Sequence, residues 1–531
     1  MSKRKPTDSS PDDSALPRRE FLGAAAGAML TTLAGCGDDD GPPAANDTGD
    51  DTGEDTEPSG ETSSSGGDDE SSTGTPPDLP DEPVPGLPWD PEAIVESTEV
   101  FPRTPMAGEM KPTSFLIAGH VATGADVTVR VWQPGQIEGE VYLAFEQAVT
   151  PDENGFFKQP VEGLTGGEWY AYGLFAGDID AGFSERSLLG RVRTAIPEGS
   201  LEPVRIAIAA CIGRASILPE YVDPDDTQPA APWESMLRAA EQEYDVFIHL
   251  GDQGYLDRVY DAGGSYAQYL AAWGVLHGGG YRDVYPRSGL YFTWDDHEVT
   301  NNGSVDPWTT DRTELERIAN AQQAYYTVMP IDAEEPGVDP LWRSFRWGDT
   351  VEFIVLDCRS ERQAPESGVY LGEEQFQFLL DRLRNSPCHF KCVVNSVPFS
   401  RLNLPSGGVG DILVNPEDRW EGYVTQRAEL QAYVDKHNLS NILWVTGDVH
   451  MCFAGQVDGN PGTAGESMWE LCVTSGSTNP LASDLPPGQF PWASQYPHVP
   501  VIEFNPETDS VHVDFVALDG TISESRDLQL G

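Results

Sequence analysis

Between Val100 and Thr194 apolar and polar residues alternate in short runs. Asp126-Val-Thr-Val-Arg-Val-Trp132 and Val141-Tyr-Leu-Ala-Phe145 have a period of two. Turn clusters at Gln133-Pro134-Gly135 and Pro151-Asp-Glu-Asn-Gly155 separate them, and Glu168 to Tyr172 and Gly190 to Thr194 continue the pattern. A period of two predicts half-buried strands, and strands at this spacing predict a small all-β sandwich. After Pro197 the pattern changes. Val204 to Ala210, Val246 to Leu250, Leu290 to Trp294, Val351 to Leu356, Lys391 to Val394 and Ile442 to Thr446 are nearly continuous apolar runs. Helical periods at Trp233 to Glu243, Glu314 to Tyr326, Glu373 to Arg384 and Arg427 to His437 lie between them. Apolar strands alternating with helices predict an α/β fold whose strands are covered on both faces.

The residues that follow these runs are ligand types. Cys211, Asp252, Asp296-His297, Asn395-Ser396 and Asp448-x-His450 each come directly after an apolar run. In an open α/β sheet the crevice beyond the carboxyl ends of the strands collects the site. One such residue is an ordinary turn; five on one edge predict a binuclear metal centre. A carboxylate bridges two cations, and Asp252 is placed to do so. A thiolate from Cys211 and a phenolate from Tyr255 suit a trivalent iron, whereas oxygen donors such as Asp296 and Asp448 suit calcium, magnesium or manganese. His450 suits either ion. His297, next to a ligand Asp, is a candidate proton donor to a leaving-group oxygen or a contact for phosphate. Arg214, three residues past Cys211, is a candidate phosphate clamp. Two cations at such a centre favour phosphoryl transfer chemistry. His249, inside a strand, reads as a core histidine, and Asp357 with Arg359 as a structural ion pair.

Charge and the N-terminus change the picture further. The formal net charge of the 531-residue chain is −55. Such a chain repels nucleic acid and anionic lipid, and an anionic substrate needs local positive charge, which bound ions supply. Residues 1–36 read as an address. Pro17-Arg18-Arg19-Glu20-Phe21-Leu22 precedes a short apolar run ending in Leu33-Ala34-Gly35-Cys36. This resembles a twin-arginine export signal followed by a lipoprotein cleavage site. Export by the twin-arginine machinery, a lipid anchor on Cys36 and a periplasmic or cell-surface location are therefore expected. Residues 37–90 are acidic and rich in Gly, Ser, Thr and Pro, the composition of a disordered tether. Residues 91–197 form the β-sandwich segment, of immunoglobulin or fibronectin type, and 198–531 the α/β part. The six cysteines beyond Cys36 sit in or beside apolar runs and read mainly as buried thiols.

Longer motifs carry a resemblance. Gly251-Asp252-x-x-Tyr255 is similar to the tyrosinate motif of purple acid phosphatases. Asp296-His297-Glu298 and Gly447-Asp448-Val449-His450 resemble metallophosphoesterase blocks with Asp in place of Asn and of the first His. Together with Trp294-Asp-Asp-His-Glu-Val-Thr-Asn-Asn302, Leu356-Asp-Cys-Arg359 and Trp420-Glu-Gly-Tyr423, they resemble the alkaline phosphatase D (PhoD-like) family. The resemblance spans about Phe101 to Ser475. It implies a metallophosphoesterase-type layered β-sandwich flanked by helices, acting as a phosphatase on monoesters or diesters with iron and calcium. Manganese, magnesium and zinc are the alternative ions. Carried over, Cys211, Asp252, Tyr255, Asp448 and His450 lie around iron, and Asp252, Asp296 and Asp448 near calcium. The family's Ser-Cys-Gln is Ala210-Cys211-Ile212 here. The expected partner is a phosphate-ester substrate, with no stable nucleic-acid partner and a monomeric chain. A diesterase or nucleotidase acting on extracellular nucleic acid or lipid headgroups, and a non-catalytic metal-stabilised lipoprotein, are the competing readings.

Overall fold

Alternation along the central strands decides the layering. In the strand Val246–His249, Val246 and Ile248 point into one core while Phe247 points into another. Both faces are covered, as the continuous apolar run requires. A computed structural model describes residues 86–531 apart from 123, 125, 180–181, 213–232, 301–308, 310, 334–338, 405–414, 460–461 and 463. The first sheet has nine strands in the order Ile522–Leu528, Ser510–Ala517, His498–Asn505, Val204–Ala209, Val246–His249, Gly289–Phe292, Met106–Lys111, Ser114–His120 and Phe156–Glu162. The second has seven: Arg343–Trp347, Val351–Val355, Phe390–Val394, Ile442–Thr446, Trp469–Cys472, Cys452–Gln456 and Trp492–Ser494. Their facing sides share one core, with Ile206, Ile208 and Ile248 from the first and Phe353, Val394 and Val445 from the second.

Helices close the outer faces. Glu234–Ala240, Tyr266–Gly278 and Arg312–Val328 cover the first sheet, and Glu373–Asn385 and Val424–His437 the second. The layers run helix, sheet, sheet, helix. The helix Tyr266–Gly278 is apolar on most of its circumference and so shows no helical stripe in the sequence. Beyond Ile442–Thr446, the strand Trp469–Cys472 joins the second sheet in parallel, and the other late strands complete both sheets by antiparallel pairing.

The segment 91–197 contributes to two sheets. Val127–Pro134, Glu140–Val149, Trp169–Ala176 and Gly190–Arg193 belong to a separate seven-stranded sheet. Met106–Lys111, Ser114–His120 and Phe156–Glu162 instead extend the nine-stranded sheet, joined through Leu290 opposite Gly108. The two layers enclose Val127, Val129, Phe157 and Leu174. The boundary at 197 thus separates strands that share a sheet, and residues from Pro80 onward form one compact unit. Among the described residues no helix is long and apolar enough to cross a membrane. The residues assigned to the signal and nearly all of the acidic tether lie outside the described part.

Candidate metal centre

Register brings the strand ends together. Ala209, His249 and Phe292 are paired side by side in parallel, so the chain leaves three adjacent strands at one level. Val355, Val394 and Val445 are aligned in the same way in the second sheet. The two edges are stitched to each other. Thr293 Oγ1 donates to the Leu356 carbonyl at 2.6 Å, and the Asp448 amide donates to Cys211 Sγ at 3.1 Å.

The backbone at these exits is unusual. Cys211, Asp252, Asp448 and His450 all have positive φ, between 51° and 65°. A non-glycine residue there is strained by about 1–3 kcal/mol, and such strain persists where the surroundings enforce it, often at functional sites. Gly251 beside them has φ 108°, and a Cβ on it would sit 2.6 Å from the Asp295 amide nitrogen, so glycine is required for the close approach.

Three overlapping groups of donor atoms result: Cys211, Asp252 and His450; Asp252, Asp296 and His297; and Asp295, Asp296 and Asp448, each set lying within 4.8 Å. Asp252 belongs to two of them, the position expected of a bridge. Tyr255 joins the first: its hydroxyl is 2.9 Å from His450 Nε2 and 3.3 Å from Asp252 Oδ2. Every metal candidate is therefore in one cluster. His297 shares it. Its Nδ1 lies 2.7 Å from Asp257 Oδ2, its amide donates to Asp252 Oδ1 at 3.3 Å, and its ring packs on Tyr255 at 3.9 Å between centroids. Arg214 lies outside the described residues.

Burial and like charge set the electrostatics. Burial, then the Asp252, Asp295 and Asp448 carboxylates, push the Cys211 thiol well up. Burial, then Asp252 and Cys211, do the same to the Tyr255 phenol. Asp252 and Asp448 are held well above the usual carboxylate range, by burial first and by neighbouring acids next. Burial pulls His297 down, but Asp296, Asp252 and Asp257 outweigh it and push it up to about 11. His450 goes the other way, to about 4, through burial and the nearby His297. Each shift of an acid opposes the charged form that binds cations, and a bound cation reverses that opposition. This buried carboxylate, thiol, phenol and imidazole set fits metal ions: Arg359 and His297 offset only part of its excess of acids.

Several supporting residues were not singled out as site members from the sequence. Glu298 accepts from the Asp252, Gln253 and Asp295 amides at 3.0, 2.6 and 2.8 Å, latching two strand exits together. Asp257 orients His297, Ser477 Oγ lies 3.5 Å from the Tyr255 hydroxyl, Asp295 is a member of the third donor group, and Asp418 flanks the cluster through Arg359. Asp295 and Glu298 sit inside the quoted Asp-Asp-His-Glu run, so proximity in sequence was the available signal. Asp418 follows a Gly- and Pro-rich stretch and gave none. One expectation about this region changes. The Arg359 guanidinium pairs with Asp295 and Asp418, while Asp357 accepts the Arg359 amide and Trp294 Nε1. Trp420 is fully buried against Phe399 and Trp444, so it closes the core and does not face a substrate. His249 is a core histidine, 3.0 Å from the Tyr281 hydroxyl. The six cysteines beyond Cys36 are free and buried, Cys388 and Cys392 included.

Comparison with known proteins places this arrangement first in a class. The fold is similar to that of PhoD (TM-score 0.64, 19% identity, covering 81% of this chain and 89% of that one). It is also similar to that of the purple acid phosphatase PPD1 from yellow lupin (TM-score 0.56, 14% identity, covering 81% and 75%). Both likenesses are of a β-sheet-rich metallophosphoesterase fold. Residues 228–515, just over half of the chain, match the PhoD-like phosphatase family, and the chain belongs to that family. Alkaline phosphatase D of Bacillus subtilis is 33% identical over 186 residues, a stretch covering 31% of this chain and 31% of that protein. The chain thus aligns with about a third of that relative's length.

Proposed function

We propose that the protein is a metal-dependent phosphatase that hydrolyses phosphate esters outside the cytoplasm. One observation carries the reading: three donor groups overlapping at Asp252 and Asp296 lie on the carboxyl edge of the stacked sheets, in a chain of the PhoD-like family. Cys211, Asp252, Tyr255 and His450 would hold iron; Asp252, Asp296 and Asp448 would hold calcium or another oxygen-seeking divalent ion. Bound cations would supply the Lewis acidity that activates water and offsets charge developing on the phosphoryl group. The protein's own residues do the rest. Asp257 fixes the His297 ring through Nδ1, which leaves Nε2 to face the substrate. A protonated His297 holds the negative ester and gives its proton to the departing oxygen. Glu298 keeps the Asp252 and Asp295 loops at a fixed separation, the kind of preorganisation on which such sites depend.

The twin-arginine motif and Cys36 support export and a lipid anchor, and the acidic stretch that follows supports a tether. Residues 91–197 are read as immunoglobulin- or fibronectin-like β structure that shares the nine-stranded sheet with the phosphatase part, and the working unit as a monomer. The test is hydrolysis of aryl phosphate monoesters and diesters at alkaline pH by purified protein, paired with elemental analysis. Turnover that a chelator abolishes, with about one iron per chain and calcium, is the expected result. Metal-loaded protein that cleaves neither ester overturns the reading, and zinc alone overturns the iron assignment.

A further inference from the structure

The donor group made of Asp295, Asp296 and Asp448 has a cation of the protein's own built against it. Arg359 is fully buried and faces acids on every side. Nε donates to Asp295 Oδ1 at 2.5 Å and Nη1 to both oxygens of Asp418 at 2.9 Å. Nη2 donates to Asp448 Oδ1 at 3.3 Å and lies 3.6 Å from Asp296 Oδ1. One guanidinium thus touches all three members of the group. Asp418 is not a member; it clamps Arg359 in place and is held in turn by Arg362 at 2.8 Å. The remaining oxygen of Asp295, Oδ2, is buried with no hydrogen-bond partner among the described residues. A carboxylate with one oxygen on a guanidinium and the other unsatisfied in dry surroundings is destabilised until a cation reaches the second oxygen. The group of Cys211, Asp252 and His450 is connected differently: the Tyr255 hydroxyl bridges Asp252 and His450 beside Ser477, and the Asp448 amide donates to Cys211 Sγ.

We propose that Arg359 is a positioning residue of the metal centre, a fixed cation that holds Asp295, Asp296 and Asp448 together so that a divalent ion with oxygen ligands meets a preformed carboxylate array. Three mutually repelling carboxylates would otherwise spread apart, and each arriving ion would have to gather them. Arginine suits this role because its rigid fork reaches several carboxylates at once, which the single ammonium of lysine does not. The inference rests on the reading that this group holds a cation.

The experiment uses the full chain stripped with a chelator, as wild type and as Arg359→Met, Arg359→Lys and Asp418→Asn. Calcium chloride is titrated by calorimetry, with Asp448→Ala giving the background from the acidic tether. Iron content and visible absorption are measured on the unstripped proteins. Partners in the layer outside metal ligands typically carry about 10–100-fold in metal affinity, so Arg359→Met should weaken calcium binding by about that factor. Arg359→Lys should stay at least about tenfold weaker, because it restores charge without the fork. Asp418→Asn should weaken binding in the same direction by less, and iron content and absorption should not change in any of the three. Unchanged or tighter calcium binding by folded Arg359→Met overturns the proposal, the second because it would make the guanidinium a competitor of the ion. Equal loss of iron and calcium overturns it too. If Arg359→Met does not fold, wild-type affinity in Asp418→Asn is the overturning result. Wild-type protein that binds neither ion defeats the underlying metal reading, a failure distinguishable because no variant then differs from wild type.

Discussion

The two stacked sheets present their parallel strand ends to the same edge, but they use them differently. In the first sheet the exits after Ala209, His249 and Phe292 deliver Cys211, Asp252 and the Asp296-His297 pair, all into the cluster. In the second, the exits after Val355, Val394 and Thr446 carry Asp357, Asn395 and Asp448, and of these Asp448 alone is in a donor group among the described residues. Asp357 turns back to accept from Trp294 Nε1 and from the Arg359 and Ser360 amides. Asn395 is held by the Val397 carbonyl and the Cys358 thiol. Backbone conformation separates the residues placed directly after a strand. Cys211, Asp252 and Asp448 leave their strands with positive φ, whereas Asp357 and Asn395 do not. A left-handed residue swings its side chain off the strand direction and into the crevice. Directly after a strand, a left-handed turn thus marks the donors Cys211, Asp252 and Asp448, whereas Asp296 reaches the cluster four residues beyond Phe292 without one.

Substitutions at these exits test that contrast. The largest effect is expected at Asp252 and Asp448. Alanine at either should lower aryl phosphate hydrolysis by at least about 10²–10³-fold, the scale of losing one electrostatic contact to the reacting group. Near wild-type turnover by Asp252→Ala would remove the bridge from the scheme. Asp357→Ala should do the opposite. It strands the Trp294, Arg359 and Ser360 donors, so denaturant unfolding should show a loss of about 3 kcal/mol, while the folded fraction keeps activity within about tenfold. A larger catalytic loss at unchanged stability would make Asp357 part of the chemistry.

Acid should also distinguish the sheets. Burial holds His249, on the first sheet, at about 3. Below about pH 6.5 the unfolded chain takes a proton that the native chain refuses, so stability present above that pH is lost as pH falls towards 3, at up to about 1.4 kcal/mol per pH unit. Glu470, on the second sheet, is raised by burial. Its native form takes the proton first, so its contribution is greatest below the ordinary glutamate range and is lost as pH rises. Hydrogen exchange at pH 5 should accordingly show Val246–His249 losing protection before Trp469–Cys472. The smallest effect is expected at Asn395→Ala, about 1 kcal/mol in a thermal melt with no change in metal content.

Much of this was legible in the chain. Continuous apolar runs followed by Cys, Asp or His marked the central parallel strands, because burial on both faces leaves no room for alternation. The metal candidates were found for the same reason: a ligand type directly after such a run has few other uses. What the sequence hid was geometric. Nothing in Leu356-Asp-Cys-Arg359 says that Arg359 reaches across to Asp295 and Asp418, 64 and 59 residues distant. Nor does the short run Met106–Lys111, buried at five successive positions, reveal that it joins the nine-stranded sheet and not its own segment's second sheet. The helix Tyr266–Gly278 was missed because its period is masked by apolar residues on nearly every side.

The positive φ of Asp448 has a consequence for anyone improving this protein. Glycine adopts that conformation freely, so Asp448→Gly should relieve backbone strain and remove one of several crowded acids at once. A screen that rewards heat resistance alone would therefore enrich glycine there and at Asp252, and would recover sturdier molecules from which the centre has been erased. Selection for durability and selection for turnover pull in opposite directions at the same codons, and a useful library would hold these positions fixed.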